Sequence, residues 1–194
     1  MLATLLKYCN AICPVPEELE NDIEKYAELK EYKKDGLILK PGMVANYASF
    51  VLKGVVRSYY LKDGEDITTK FLQEGSTITS IYSFYSRKPG TEYIMALENT
   101  TLASFHYDNM QQMYNKYREF NVIGRVITER YLFFSEIELY NLRKTKAEDR
   151  YLFFEKHYPQ LMQRVPLKYI ATYLGMNLET LSRVRARKKI SPSS

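Results

Sequence analysis

The densest reactive chemistry in the chain lies near its end, where Arg183, Arg185, Arg187, Lys188 and Lys189 place five cations in seven positions. Guanidinium and ammonium groups at this density suit recognition of a polyanion rather than bond-making, because an arginine fork matches phosphate and the guanine edge in two hydrogen bonds at once. The residues just before them supply a frame. Pro166 suits the first position of a helix, where a missing N–H costs nothing. Ile170 and Leu174 lie four apart and share a face. Ala171 is small enough for two helices to cross, and Gly175 suits a turn that needs positive φ. Asn177 can cap a second helix, with Glu179 in its first turn and Leu181 and Val184 facing back toward the first. Glu179, Ser182, Arg183 and Ala186 then fall on the outer face. The spacing predicts a helix-turn-helix, a unit that reads DNA when its second helix is polar outside and flanked by cations. The competing reading is an ordinary helical hairpin with a solvated charged tail.

The charge balance favours the first reading. The 194 residues carry a net charge of +5. Gln160–Ser194 holds seven Lys/Arg and one acid, a net of +6, which leaves 28 − 7 = 21 basic and 23 − 1 = 22 acidic residues, or −1, elsewhere. The whole basic excess sits in one terminal stretch, as expected of a nucleic-acid-binding end. A composition of 45% hydrophobic and 26% charged residues describes an ordinary globular protein of one large or two small domains.

Other chemistries lack their residues. Cys9 and Cys13 are the sole cysteines, too few for an iron–sulfur or tetrahedral zinc site. His106 and His157 stand apart from any ligand pattern and read as structural, which argues against haem and against a cupin-like metal oxygenase. No nucleophile–base pair or phosphate-cradling glycine loop appears, so an enzyme is not expected. The apolar run before Ile12 lacks a positive n-region and a cleavage pattern, and no window reaches membrane-span length. A cytoplasmic protein with no membrane contact is expected, its thiols reduced.

The elements that would carry this reader can be read in order. Pro14-Val-Pro-Glu-Glu18 looks like a helix start with Pro16 and the acids in the first turn, and Leu19, Ile23, Tyr26 and Leu29 or Lys30 continue a helical period to about Lys34. From Lys34 to Tyr107 the period changes. Glycines at 36, 42, 54, 64 and 75 separate strand-like runs at 37–40, 45–53, 55–61, 66–72, 93–98 and 101–106, and Lys62-Asp-Gly-Glu65 is a hairpin turn. Short strands at this spacing predict an antiparallel sandwich or jelly roll. Asp108–Arg118 is a short helix or linker. Glu119–Lys144 is a long helix, whose three to four heptads would span ~37 Å at 1.5 Å per residue. Its Phe120, Ile123, Ile127, Phe134 and Ile137 form a near-heptad seam, read as a homodimer contact. The alternative is a helix buried against its own sheet. Ala147–His157 is a further helix with Tyr151, Leu152 and Phe153 inward.

This order resembles the Crp/Fnr family of bacterial transcription regulators over nearly the whole chain. The residues that carry the resemblance are Tyr32-Lys-Lys-Asp-Gly-Leu-Ile-Leu-Lys-Pro-Gly42, Val51-Leu-Lys-Gly-Val-Val-Arg57, Lys62-Asp-Gly-Glu65, Phe71-Leu-Gln-Glu-Gly75 and Tyr169-Ile-Ala-Thr-Tyr-Leu-Gly-Met-Asn-Leu-Glu-Thr-Leu-Ser-Arg183. It implies an α+β fold. A cyclic-nucleotide-binding-like β-roll over 1–118 would have flanking helices, with a long dimerisation helix over 119–144. A helix-turn-helix domain over 145–194 would follow, its wing short or absent. It also implies a homodimer reading a near-palindromic operator on double-stranded DNA through a recognition helix over 178–188, and contact with RNA polymerase if the protein is an activator. By position in the motif, Glu179 and Arg183 are the expected base readers, with Leu178 and Ser182 beside them. Lys168, Thr180, Arg185, Arg187 and Lys188 are placed for phosphates.

The effector pocket departs from the family pattern. Where cyclic-nucleotide binders carry a Glu for the ribose and an Arg for the phosphate, this chain has Ser80 and Gly90, and Thr91 keeps a hydroxyl. Ser80, Tyr82, Ser83, Thr91 and Tyr93 are the expected lining. Glu92 would repel an anion, with Arg87 or Lys88 as substitute cations. Cyclic AMP is therefore not the expected effector, no cofactor is expected, and another small ligand or none is. The alternative function is a ligand-sensing or protein-interaction module that no longer binds DNA specifically.

Overall fold

Alternation along two neighbouring strands explains how the β region is built. A computed structural model describes residues 2–144 and 146–190, with side chains to Arg187. Strands β1 (Glu28–Tyr32), β8 (Thr100–His106), β3 (Tyr47–Lys53) and β6 (Thr77–Ile78) form one antiparallel sheet in that order. Strands β2 (Leu37–Leu39), β7 (Tyr93–Ala96), β4 (Val56–Lys62) and β5 (Glu65–Leu72) form the other. Successive side chains of a strand point to opposite faces. Val51 and Leu102 therefore face the second sheet, where they join Leu39, Val56, Ile78, Ile94 and Phe84 in one buried cluster. Their neighbours Phe50, Ala103 and Phe105 face the other way, into helices.

Those helices are α1 (Ala3–Asn10), α2 (Glu17–Tyr26), α4 (Tyr107–Lys116) and the first part of α5 (Arg118–Leu142). Leu5, Leu6 and Cys9 of α1, Leu19 and Ile23 of α2, Met113 of α4 and Phe120 and Ile123 of α5 are buried on Phe50, Ala103 and Phe105. Burial pushes the Cys9 thiol up to about 11, so it packs as a small hydrophobe, and both cysteines are free. A short helix α3 (Ile81–Ser86) lies between β6 and β7. Asp63 and Gly64 both take positive φ, 52° and 84°, and close the β4–β5 hairpin in the two-residue form the sequence predicts.

The C-terminal stretch is helical: α6 (Ala147–His157), α7 (Leu161–Arg164), α8 (Leu167–Tyr173) and α9 (Leu178–Ile190). The chain divides into two compact units, Met1–Tyr60 with Lys70–Arg130, and Leu61–Thr69 with Tyr131–Ser194. The fold is α+β, with an antiparallel sandwich, the long α5 and a helical C-terminal region, as the sequence predicts.

Four local expectations change. The first long helix stops at Tyr26 instead of about Lys34, and Glu28–Tyr32 becomes an edge strand paired with β8. The apolar spacing fitted a helix, but pairing with β8 decides. Pro16 and Pro166 sit at N-cap positions with extended ψ of 151° and 135°, one residue before their helices. In α6 the buried residues are Tyr151 and Phe154, while Leu152 is exposed, so the inward register is shifted. The seam reading is corrected in its N-terminal half. Phe120 and Ile123 are buried in the chain's own core with Ile127 packed against it, so this half follows the alternative of a helix on its own sheet.

A hydrogen-bonded cluster ties α2 to the end of α4. Asp22 Oδ2 accepts from Lys116 Nζ at 2.9 Å and from the Tyr117 hydroxyl at 2.7 Å, and that hydroxyl also reaches Glu18 O at 3.1 Å. The Lys116 hydrogen bond, then that of Tyr117, holds the Asp22 carboxyl below its usual range. A depressed folded value means that the contribution is present above the unfolded pKa of about 3.9 and lost as pH falls through the folded one. Urea titrations of wild type and Asp22→Asn are expected to differ at neutral pH and converge below about pH 4. A gap independent of pH would contradict this.

Candidate nucleic-acid interface and effector pocket

The turn between α8 and α9 is fixed by backbone chemistry. Gly175 takes φ +61°, Met176 N donates to Ala171 O at 3.0 Å and Gly175 N donates to Thr172 O at 3.1 Å. This is a Schellman ending, which satisfies carbonyls that α8 leaves open and needs a left-handed residue at that place. Asn177 Oδ1 then accepts from Thr180 N at 2.8 Å and caps α9. Both roles match what the sequence predicts for Gly175 and Asn177.

Inside the angle, Leu181 of α9 is buried with Ile170, Ala171, Tyr173 and Leu174, and α9 packs on both α8 and α6. Outside, Leu178, Glu179, Ser182, Arg183, Ala186 and Arg187 are all exposed. At 100° per residue these positions form a continuous face along the helix. The face carries all four expected base readers and one expected phosphate contact. Arg183 Nη2 lies 3.4 Å from Thr180 Oγ1. Lys168 is exposed on α8, and Thr180 is half-buried. Arg185 departs from expectation. It is half-buried, with the Tyr151 phenol of α6 close to its guanidinium. The side chain of Lys188 lies outside the described residues.

Behind this face sits a network that sequence reasoning missed. Glu138 Oε1 on α5 accepts from the Tyr158 hydroxyl and from the Tyr173 hydroxyl, the latter at 3.0 Å. Burial first, and the Glu138 charge second, push both phenols up, so they remain protonated donors. Arg150 donates from Nε to Leu174 O at 2.8 Å and from Nη1 to Lys144 O at 2.6 Å. These partners lie up to 35 positions apart, and no local pattern signals them.

In the β-roll the residues expected to line a pocket separate. Ser80 and Ser83 are buried around Gly90, where an added Cβ would lie 3.3 Å from both Ser80 Oγ and Ser83 Cβ. Ser80 Oγ donates to Glu92 Oε1 at 2.5 Å. Ser83 Oγ accepts from Ala45 N at 2.9 Å and donates to Lys88 O at 2.6 Å. Tyr82 does not join them. It is 62% exposed on the outer side of α3, because a helix turns adjacent residues 100° apart. Thr91 is exposed, and Tyr93 stacks on Tyr59 with ring centroids 4.8 Å apart. Arg87, one of the two substitute cations, is already engaged. Its guanidinium donates to Ala45 O, Phe84 O and Asn46 Oδ1 at 3.0, 3.1 and 2.5 Å and stacks over Tyr107 at 4.1 Å. Lys88 is exposed.

Each histidine has a local partner. His106 Nδ1 accepts from Asp108 N at 3.3 Å and caps α4, and His157 Nδ1 lies 2.9 Å from Phe153 O. Among the described residues no group of three His, Cys, Asp or Glu is placed to hold a metal ion, and no helix is long and apolar enough to cross a membrane.

Residues 29–117 match the cyclic nucleotide-binding domain family. Similar solved structures include CooA from Carboxydothermus hydrogenoformans, in a mutant form, at 20% identity and a TM-score of 0.70, covering 97% of this chain and 84% of that one. FixK2 from Bradyrhizobium japonicum matches at 21% identity and 0.68, covering 84% and 85%. The catabolite activator protein of Thermus thermophilus matches at 18% and 0.57, covering 94% and 87%. At these identities the likeness is one of fold alone. No curated protein sequence matches the chain.

The cap provides a local test. Asn177→Ala is expected to cost about 1 kcal/mol in urea denaturation, and Asn177→Ser to recover most of it. An Ala variant as stable as wild type would mean that α9 starts without this cap.

Proposed function

We propose that the chain is a cytoplasmic DNA-binding transcription regulator of the Crp/Fnr type, acting as a homodimer on a near-palindromic operator. The observation that carries this reading is the single outward face of α9. Its Leu178, Glu179, Ser182 and Arg183 stand in the first turns of a helix, and Arg187 continues the same side. A recognition helix enters the major groove with its N-terminal residues on base edges. An arginine there suits guanine O6 and N7, and a carboxylate accepts from cytosine N4. Lys168 and Arg187 serve phosphates, and Arg185 serves the hairpin itself.

The dimer contact is read from the exposed second half of α5, on a stripe beside the predicted Phe134 and Ile137 and without the buried Phe120 and Ile123. Leu132, Ser135, Leu139 and Leu142 follow steps of three, four and three, the spacing of a two-stranded seam. Leu132 and Leu139 are 60% and 43% exposed, with Phe133 and Tyr140, also seven apart, bare beside them. A second copy of the same face covers both pairs.

The β-roll is read as a sensor scaffold that does not hold a cyclic nucleotide. A cyclic phosphate needs a cation, but the Ser80–Glu92 pair presents a carboxylate and Arg87 is already bonded to its own chain. Burying an anion against Glu92 would be opposed by charge. Saturating cyclic AMP or cyclic GMP is expected to leave the melting temperature unchanged, whereas a ligand at a hundred times its Kd would stabilise by about 2.7 kcal/mol. A clear upward shift would overturn this part of the reading.

DNA binding is tested by selecting duplexes from a random pool with the purified protein. Arg183→Ala is expected to cost about 1–3 kcal/mol at one base pair of each half-site and to relax preference there. Arg187→Ala is expected to weaken every duplex alike and lower the salt slope by about one. No duplex selected at low salt would favour the interaction-module alternative.

A further inference from the structure

Two charged tethers join the second half of α5 to the reading hairpin. One is the Glu138 carboxylate, shared by the hydroxyls of Tyr158, just past α6, and Tyr173, the last residue of α8. The other is Arg150 of α6, which bridges the carbonyls of Lys144, just past α5, and Leu174, just past α8. Charge-assisted hydrogen bonds of this kind are roughly twice as strong as neutral ones. Guanidinium at a helix C-terminus also meets the negative end of its dipole. One tether would leave a pivot, but two at separate points leave α8 and α9 without a free rotation about α5. Glu138 is also the neighbour of Leu139, so the turn of α5 that carries the exposed pairing stripe carries the tether as well.

The lever arm gives that restraint a consequence for recognition. At 1.5 Å per residue the 13 residues of α9 span ~20 Å. A rotation of ~10° moves the far end by ~3.5 Å, close to the ~3.4 Å rise of one base pair. A loosened angle would therefore blunt the dimer's preference for one separation of its half-sites.

We propose that Glu138, held by Tyr158 and Tyr173, is a positioning residue that sets the distance between the two half-sites the dimer accepts. It does not choose the bases within them. The inference rests on the DNA-binding reading above.

The test uses the full-length chain and a duplex selected by the wild-type protein, together with versions that have one base pair added or removed between the half-sites. Wild type is expected to prefer its own spacing by about tenfold or more. Glu138→Gln keeps an acceptor without the charge, and Tyr173→Phe removes one hydroxyl while keeping the buried ring. Both are expected to reduce the spacing preference at least threefold and to leave the penalty for a mismatched base inside a half-site unchanged. Retention of the wild-type spacing preference by both variants would overturn the assignment while leaving the DNA-binding reading intact. So would a parallel loss of base and spacing preference, the mark of general destabilisation. Failure of wild type itself to select any duplex would sink the DNA-binding reading and this inference with it.

Discussion

A β-strand has two faces, and β3 and β8 use both. Val51 and Leu102 build the interior of the sandwich, and Phe50, Ala103 and Phe105 build a second core against α1, α2, α4 and the start of α5. That constraint settles the rest of the chain. Because the second core takes Phe120 and Ile123, the first turns of α5 are committed to their own sheet. Beyond Arg130, Leu132, Phe133, Phe134, Leu139 and Tyr140 of α5 lie at the surface. Under the proposed reading, one helix has two jobs divided along its length.

Much of this architecture was legible in the residues. The glycine-punctuated runs marked the strands because turns demand special backbone angles wherever they occur, as Asp63 and Gly64 show. The α8–α9 hairpin was legible for the same reason, since Gly175 and Asn177 act on backbone groups only a few residues away. What failed were judgements about which surface covers an apolar stripe. The period of Leu19, Ile23 and Tyr26 runs on by coincidence into Leu29, where pairing with β8 takes over. Phe120 and Ile123 repeat as a seam would, but periodicity reports a face and not its partner. Arg185 reads as one more cation of a basic run until the Tyr151 phenol beside it is seen. Glu138 and its two tyrosines carry no local signal.

Under the proposed reading, the β-roll keeps the frame of a ligand site without its chemistry. Gly90, Ser80 and Ser83 still meet closely, and residues 29–117 retain the match to the cyclic nucleotide-binding domain. The groups that converge there are hydroxyls, a carboxylate and backbone amides already bonded to one another. Under the proposed reading, the roll holds α5 in place without naming a ligand.

Under the proposed reading, two copies paired through the exposed half of α5 present two α9 faces to one duplex. Sedimentation of the protein with a selected duplex at micromolar concentration tests it most directly. A complex of two chains per duplex is expected, and a monomeric, non-binding chain when Leu132 and Leu139 are both replaced by Glu. A wild-type protein that stays monomeric and binds as a single chain would contradict it.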